Sequence, residues 1–359
     1  MSRPAIAYID LDSLRHNYRL LAARAGNAEV MAVVKADAYG HGLDLVAPAL
    51  FAAGCRHFGV TDAAEGSRLR ILLPNGADEP PSIYLLSGIF DGDDAHLAAE
   101  HALIPVIAEQ AQTGYLHRAG FAGRVWIKVD TGMSRLGSDA PAELAANCVS
   151  HGFRVEGIVS HLACADDPEH PLNAMQADQF LATLRTFPDG TRASLLNSAG
   201  MQIRPDMGGD LVRPGIALYG AEPIPDWPMG LKPVMHLTGR VMQVRQIPKG
   251  ASVSYGASFT ANESMPAAVV CMGYADGLPR GLSNRGSGMH GQTRLPIIGR
   301  VCMDHVVLDA RNAPGIGIGD TIEFWGASLS ANEVAASLDT IAYTLFTGVG
   351  HRVIRKARP

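Results

Sequence analysis

The feature that most constrains this chain is an alternation running through roughly its first 220 residues: short apolar runs rich in Val and Ile, separated by alanine- and leucine-rich amphipathic stretches. The runs are His57–Val60, Ile83–Ser87, Ile104–Ala108, Val125–Val129, Val155–Ser160, Ser194–Asn197 and Leu211–Leu218. With the apolar residues leading into Lys35 they make about eight. Continuous apolar strands alternating with helices imply a parallel sheet buried on both faces. About eight such units in so short a span suit a closed (β/α)8 TIM-like barrel better than an open sheet. A helix over Asp12–Ala25 precedes them, capped by Asp12 or Ser13, with Leu14, Tyr18 and Leu21 at helical spacing and Gly26 at its end.

The run Glu222–Pro228 breaks the alternation. Beyond it, Gly239–Ile247, Ala267–Met272, Pro296–Cys302, His305–Asp309 and Thr321–Phe324 read as short strands separated by Gly, Pro and Asn, as in a mostly antiparallel domain. A helix is expected from Ser330, where Ser-x-x-Glu through Glu333 makes a capping box. The expected division is an α/β barrel over residues 1–228 and a mostly-β C-terminal domain over 229–359, with about the first eight residues able to pair with the second domain.

A net charge of −5 without a run of Lys and Arg argues against nucleic acid or a membrane surface as partner. The five cysteines, Cys55, Cys148, Cys164, Cys271 and Cys302, are scattered without a Cys-x-x-Cys pair, which argues against a disulfide framework or structural zinc and for a reducing cytoplasm. His161 and Cys164 alone are a weak metal signal, and no metal is expected. No leader and no stretch of about 20 apolar residues is seen.

Lys35 ends the first barrel strand, in Ala32 to Gly42. Alone, a lysine after a strand simply keeps its head in water. In a desolvating pocket or beside other cations, its amine attacks carbonyls and forms a Schiff base. A barrel presents such groups at the C-terminal ends of its strands and binds phosphate after strands seven and eight. Here Asn197-Ser198-Ala199-Gly200 follows the seventh, with a hydroxyl, an amide and N–H groups at a helix start, and Gly215-Ile216 lies in the eighth. Tyr39, four residues past the lysine, is placed to hold an anionic group. Asn-Ser-Ala-Gly alone reads as a turn. Together with a strand-end lysine it favours the Schiff base and phosphate that pyridoxal phosphate requires. Lys128 lies inside the fifth strand and Arg135 in its loop, where a guanidinium can take a substrate carboxylate; a surface ion pair is an equal reading. His161 ends the sixth strand, where lone histidines are usually structural, and Arg213 faces the same cavity or pairs with an acid.

With these residues assembled, Ala32 to Gly42, Lys128 to Gly137, Ser160-His161-Leu162, Asn197-Ser198-Ala199, Arg213 to Gly220, Ser254-Tyr255-Gly256, Gly273 to Gly277 and Gly299 to Asp304 resemble the signatures of alanine racemases, in family order over nearly the whole chain. The resemblance implies a pyridoxal phosphate enzyme that interconverts L- and D-alanine by two-base proton exchange, working as a head-to-tail homodimer with shared active sites. Lys35 would carry the cofactor. Tyr39, Ser198, Gly215, Ile216 and Tyr343 would hold its phosphate, with Asn197 nearby and His161 packed on or beside the ring. Arg213 would meet the pyridine nitrogen and Arg135 the phenolic oxygen. Tyr255 and Met303 would arrive from the partner subunit. The family pattern also lets Lys128 be carbamylated, giving an anion that orients Arg135. In the family's assignment the lysine serves the D-isomer and the tyrosine the L-isomer. A phenol's ordinary pKa is about 10, so Tyr255 needs nearby positive charge or hydrogen bonds to act near neutrality, with His161 and Arg213 as candidates. Ser194 departs from the pattern, since many members have His there, which bears on how Arg213 is supported. A broader amino-acid racemase, acting for example on serine, and a non-catalytic cofactor-binding protein are the alternatives; the second predicts neither a further domain nor a partner tyrosine. Wall synthesis and alanine catabolism both remain open as the pathway served.

Overall fold

The computed structural model describes residues 5–74 and 80–358. Strand β1 (Ile6–Asp10) leads into helix Leu11–Arg24. The helix begins earlier than expected because Asp10, not Asp12 or Ser13, is the cap: its carboxylate accepts the Ser13 N–H at 2.7 Å.

Eight parallel strands follow: β2 (Glu29–Val33), β3 (His57–Val60), β4 (Ser82–Leu85), β5 (Ile104–Ile107), β6 (Arg124–Lys128), β7 (Arg154–Val159), β8 (Arg192–Ser194) and β9 (Leu211–Val212). They pair in chain order from β2 to β8, and β9 returns beside β2 through Glu29 with Leu211 and Val30 with Val212. The ring closes where the Arg213 N–H donates to the Leu196 carbonyl at 2.9 Å and Asn197 bridges Arg213. The result is a (β/α)8 barrel. Met31, Tyr84, Ile104, Val106, Trp126, Val159 and Leu211 fill it as a cluster of their own. Along β4, Ile83 and Leu85 point the other way, into the larger core shared with the helices.

The last two barrel strands end earlier than the sequence suggests. The seventh barrel strand lies over 192–194 rather than 194–197, because Asn197 is spent as the N-cap of helix Ser198–Ile203. The eighth stops at Val212 instead of Leu218. Pro214 cannot donate to a ladder, and Ile216–Tyr219 form a 3-10 turn.

The second domain comprises β10 (Met235–Ile247), β11 (Ser252–Val253), β12 (Phe259–Thr260), β13 (Met265–Val270), β14 (Ser287–His290), β15 (Thr293–Pro296), β16 (Val306–Asp309), β17 (Thr321–Trp325) and β18 (Ile354–Arg358). The main sheet runs β15-β14-β17-β10-β1-β18, with β13 and β16 extending from β10. Its pairings are antiparallel apart from that of β1 with β18, which aligns Ile6 with Ile354. The strand expected over Pro296–Cys302 does not form: β15 ends at Pro296, and Gly299 at φ 77° turns the chain. Ser330 caps helix Ala331–Ala336 by accepting the Glu333 N–H at 3.1 Å, but the box stays half-made because the Glu333 carboxylate pairs with Arg294 at 2.7 Å. Among the described residues no helix is long and apolar enough to cross a membrane.

Candidate active site

Directly after Lys35 the backbone takes a costly path. Ala36, Asp37, Ala38 and Tyr39 have φ of 54°, 53°, 55° and 53°, a turn of left-handed helix made of L-residues. Each such residue costs roughly 1–2 kcal/mol, so the surroundings must hold it. Glu65 does part of this, accepting the Ala36 N–H at 2.6 Å on one oxygen and the Thr61 N–H at 2.8 Å on the other. Asp37 accepts the Leu43 N–H at 2.9 Å and pairs with Arg68, which also reaches Asp44. In exchange, Lys35 and Tyr39, the two ends of the turn, face one cavity.

That cavity, of about 590 Å³, lies at the C-terminal end of the barrel strands. It brings together Lys35 and Tyr39 from the turn, Lys128 and Arg135 from β6 and its loop, His161 after β7, Asn197 and Ser198 after β8, and Arg213, Gly215 and Ile216 after β9. Tyr343 and Thr347 reach it from helix Ala342–Thr347 of the second domain. Tyr255 and Met303 are not among its walls. They stand on the second domain, 72% and 51% exposed. Tyr255 opens a 3-10 turn in which Ser254 donates to the Arg300 carbonyl at 2.7 Å, and a Cβ on Gly256 would stand 2.8 Å from the Arg300 guanidinium carbon. The turn carries the phenol outward.

Four cationic side chains and no carboxylate line the cavity among the described residues. Burial, then the nearby Arg135, holds the Lys35 amine below its ordinary range, with Glu65 opposing. Burial and the charges of Arg213 and Arg135 push Lys128 down to about 7. His161 is driven well below its usual value by burial and by Arg213, so its imidazole is neutral. A neutral His161 does not supply the positive charge considered above for Tyr255. Arg213, lowered to about 10 by burial, stays protonated at neutral pH.

Arg213 pairs with no acid among the described residues. Its guanidinium donates to the Ser194 hydroxyl and the Ser160 carbonyl, each at 2.5 Å, and to the Leu195 carbonyl at 3.2 Å, while His161 Nδ1 lies 3.2 Å away. Ser194 passes the chain on to the Leu211 carbonyl. The serine therefore supports Arg213 through a neutral acceptor.

At the opposite end, a Cβ on residue 215 would lie 2.4 Å from the Tyr39 hydroxyl, so glycine there keeps that corner open. Tyr39 stacks on Tyr219 at 4.8 Å and meets Tyr343 at 5.8 Å. Ser198 Oγ accepts the Gly215 N–H at 2.9 Å. Ile216 opens the 3-10 turn, leaving its N–H without a partner inside it. Burial pushes the Tyr343 phenol up to about 12 and that of Tyr39 still higher, so both stay neutral donors. An electron-poor carbonyl for Lys35 and a phosphate for the phenols, Ser198 and the Ile216 N–H fit this residue set, and pyridoxal phosphate carries both.

Sequence reasoning missed several supports. Asp130 accepts the Gly132, Met133 and Ser134 N–H groups at 2.8, 3.0 and 3.2 Å and so shapes the loop bearing Arg135; its Asp-x-Gly turn chemistry was legible. Gln176 donates to the His161 carbonyl at 2.9 Å from a helix whose pattern gives no hint of it. Glu65 sits in the first turn of a helix capped by Asp62, and nothing local tells that it reaches Ala36.

Lys128 gives a pH test. Its amine titrates near 7 when folded and near 10.5 when unfolded, so between these values the unfolded chain binds the extra proton. Stability from this group rises as pH climbs through that window and is flat below it. Lys128→Met is expected to flatten the rise and to make the cofactor-free protein on the order of 2–4 kcal/mol more stable at neutral pH. Urea unfolding at pH 7 and 9.5 checks this; the same slope in both proteins assigns the rise elsewhere.

A closed barrel whose cavity gathers a desolvated strand-end lysine, neutral hydroxyls at one end and two arginines suits an enzyme of the kind that uses a phosphorylated carbonyl cofactor. The alanine racemase N-terminal domain model matches residues 9–223 and the C-terminal domain model residues 234–357. The chain belongs to the alanine racemase family. It is 40% identical to a catabolic alanine racemase of Agrobacterium fabrum, over 97% of this chain and 90% of that one. It is 39% identical to an alanine racemase of Brucella abortus, over 98% and 92%. Among solved structures, the biosynthetic alanine racemase of Pseudomonas aeruginosa superimposes with a TM-score of 0.91 at 37% identity, covering 99% of this chain and 100% of that one. The Bartonella henselae alanine racemase, solved with covalently bound pyridoxal phosphate, gives 0.90 at 35% identity, with 99% of each chain covered.

Proposed function

We propose that this chain binds pyridoxal phosphate in the barrel cavity and interconverts L- and D-alanine, moving the α-proton between Lys35 on one face and the Tyr255 phenol of a second copy on the other. The observation that carries the reading is the desolvated Lys35 amine, set among cations with no carboxylate lining its cavity among the described residues. When bound, the cofactor supplies the electron sink that acidifies the substrate's α-carbon.

Every other part falls to side chains. Tyr39, Tyr343, Ser198 and the backbone at Gly215 and Ile216 hold the phosphate, with Asn197 beside them. His161 packs its neutral ring on the cofactor. Arg213 donates a hydrogen bond to the pyridine nitrogen and, as an arginine, keeps its own proton, which leaves the ring a weaker sink and favours racemisation over transamination. Arg135 would hold the phenolic oxygen of the cofactor and take the substrate carboxylate. Lys128, whose amine burial and Arg213 hold well below its ordinary range, suits carbamylation, and the anion so formed would orient Arg135. Lys35 would hold and move the proton of the D-isomer, and Tyr255 that of the L-isomer.

Homodimerisation is part of this reading. It is supported by Tyr255, Met303 and Tyr274, all exposed on the same domain. Residues 1–228 and 229–359 are its two units, except that β1 pairs within the second sheet. No disulfide joins the described cysteines, in keeping with the cytoplasm as the place of action.

The test is a visible spectrum of the purified holoprotein before and after borohydride, followed by racemisation assays on L-alanine, L-serine and L-lysine. A band bleached by borohydride and a preference for alanine are expected. Preference for serine supports the broader racemase, preference for lysine counts against a small pocket in which a second copy's Met303 would join Tyr343, and a bound cofactor without turnover supports the non-catalytic cofactor-binding protein.

A further inference from the structure

The left-handed turn that aims Lys35 and Tyr39 has a second support, on the other domain of the same chain. Arg355 of β18 donates from Nε to the Gly40 carbonyl at 3.0 Å. Its remaining nitrogens serve carbonyls beyond helix Ala342–Thr347: Val349 and Gly350 at 2.7 Å and Val353 at 2.9 Å. Its stem packs on Gly42, where a Cβ would meet Arg355 carbons at 3.6 and 3.7 Å. A Cβ on Gly40 would stand 2.2 Å from the Phe346 carbonyl, so the turn sits directly on the helix that bears Tyr343. His41 fills the joint. Fully buried, it places Nδ1 2.9 Å from the Tyr39 carbonyl and its ring against Tyr219 and Phe346, at 4.5 and 4.9 Å.

We propose that Arg355 is a positioning residue of the cofactor site, fastening the Tyr39 end of the turn to the second domain so that Tyr39 and Tyr343 address one phosphate. The inference rests on the function proposed above and concerns how its phosphate end is built. The Lys35 end is fastened separately, through Glu65 on Ala36. A planar guanidinium reaches four carbonyls in fixed directions, and an ammonium does not. Loss of Arg355 therefore frees Tyr39 while Lys35 still reacts with a carbonyl.

The experiment titrates cofactor-free wild type, Arg355→Lys and Arg355→Met with pyridoxal phosphate and, separately, with pyridoxal lacking the phosphate, following the visible absorbance of the lysine-bound ligand. Arg355→Lys is expected to bind pyridoxal phosphate at least about tenfold more weakly and pyridoxal within about twofold of wild type. Arg358→Met, an exposed arginine on the same strand, keeps wild-type affinity for both. Should Arg355→Met fail to accumulate as folded protein, Arg355→Lys carries the test, its fold checked by circular dichroism. Unchanged affinity for pyridoxal phosphate overturns the proposal. An equal loss for both ligands also overturns it, because general loosening does not distinguish them. A wild-type protein that develops no band with either ligand overturns the proposed function itself, whatever Arg355 does.

Discussion

Lys35→Ala is expected to abolish racemisation, with a loss on the order of 10³-fold or more, and to remove the borohydride-sensitive absorbance. The size follows from the two duties placed on one amine. On the proposed function it would hold the cofactor covalently and would move a proton at one face of the substrate. Burial and Arg135 favour its unprotonated state, which attack on a carbonyl and removal of a proton both need. After borohydride treatment and digestion, wild-type protein should carry the added mass on the peptide containing Lys35. The same mass on a Lys128 peptide would falsify the assignment, since both lysines line the cavity.

The second large effect concerns Tyr255. Tyr255→Phe alone is expected to lower turnover by roughly 10²–10⁴-fold and, in single-turnover deuterium wash-in, to impair exchange on L-alanine more than on D-alanine. Mixing it with Lys35→Ala discriminates further. In a two-fold dimer with shared sites, a mixed pair has one site with both native residues and one with neither, so each such dimer regains about half the wild-type activity. If Tyr255 served its own chain, every site in the mixture would lack one group and activity would stay at baseline. Dissociating and reassociating the two variants together is the measurement.

The fold was legible where burial dictates pattern. His57–Val60 is recovered residue for residue, because Phe58, Gly59 and Val60 are buried in succession rather than alternately. Boundaries slipped where a side chain or ring is engaged elsewhere. Asn197 caps a helix, Asp10 takes the cap expected of Asp12, and Pro214 ends a ladder that the apolar run to Leu218 would otherwise extend. Within the site, residues on strand ends were legible and those acting through them were not. Arg213 could be placed at the cavity from its position, but its dependence on Ser194 and on two carbonyls is a matter of three dimensions. The left-handed turn was the least legible element. Ala36-Asp37-Ala38-Tyr39 holds no glycine, and its conformation is imposed by Glu65, Arg355 and Phe346, which lie far off in sequence.

The alignment of Ile6 with Ile354 has a consequence for biogenesis. During translation β1 emerges before the barrel and β18 after it, so the ring can curl shut while its first neighbour strand waits for a late one. Contacts spanning such a separation form slowly. Arg355 travels on that late strand. A ribosome-bound chain with a finished ring still lacks the clasp on Gly40, and loading of the vitamin-derived group should lag ring closure and coincide with docking of β18.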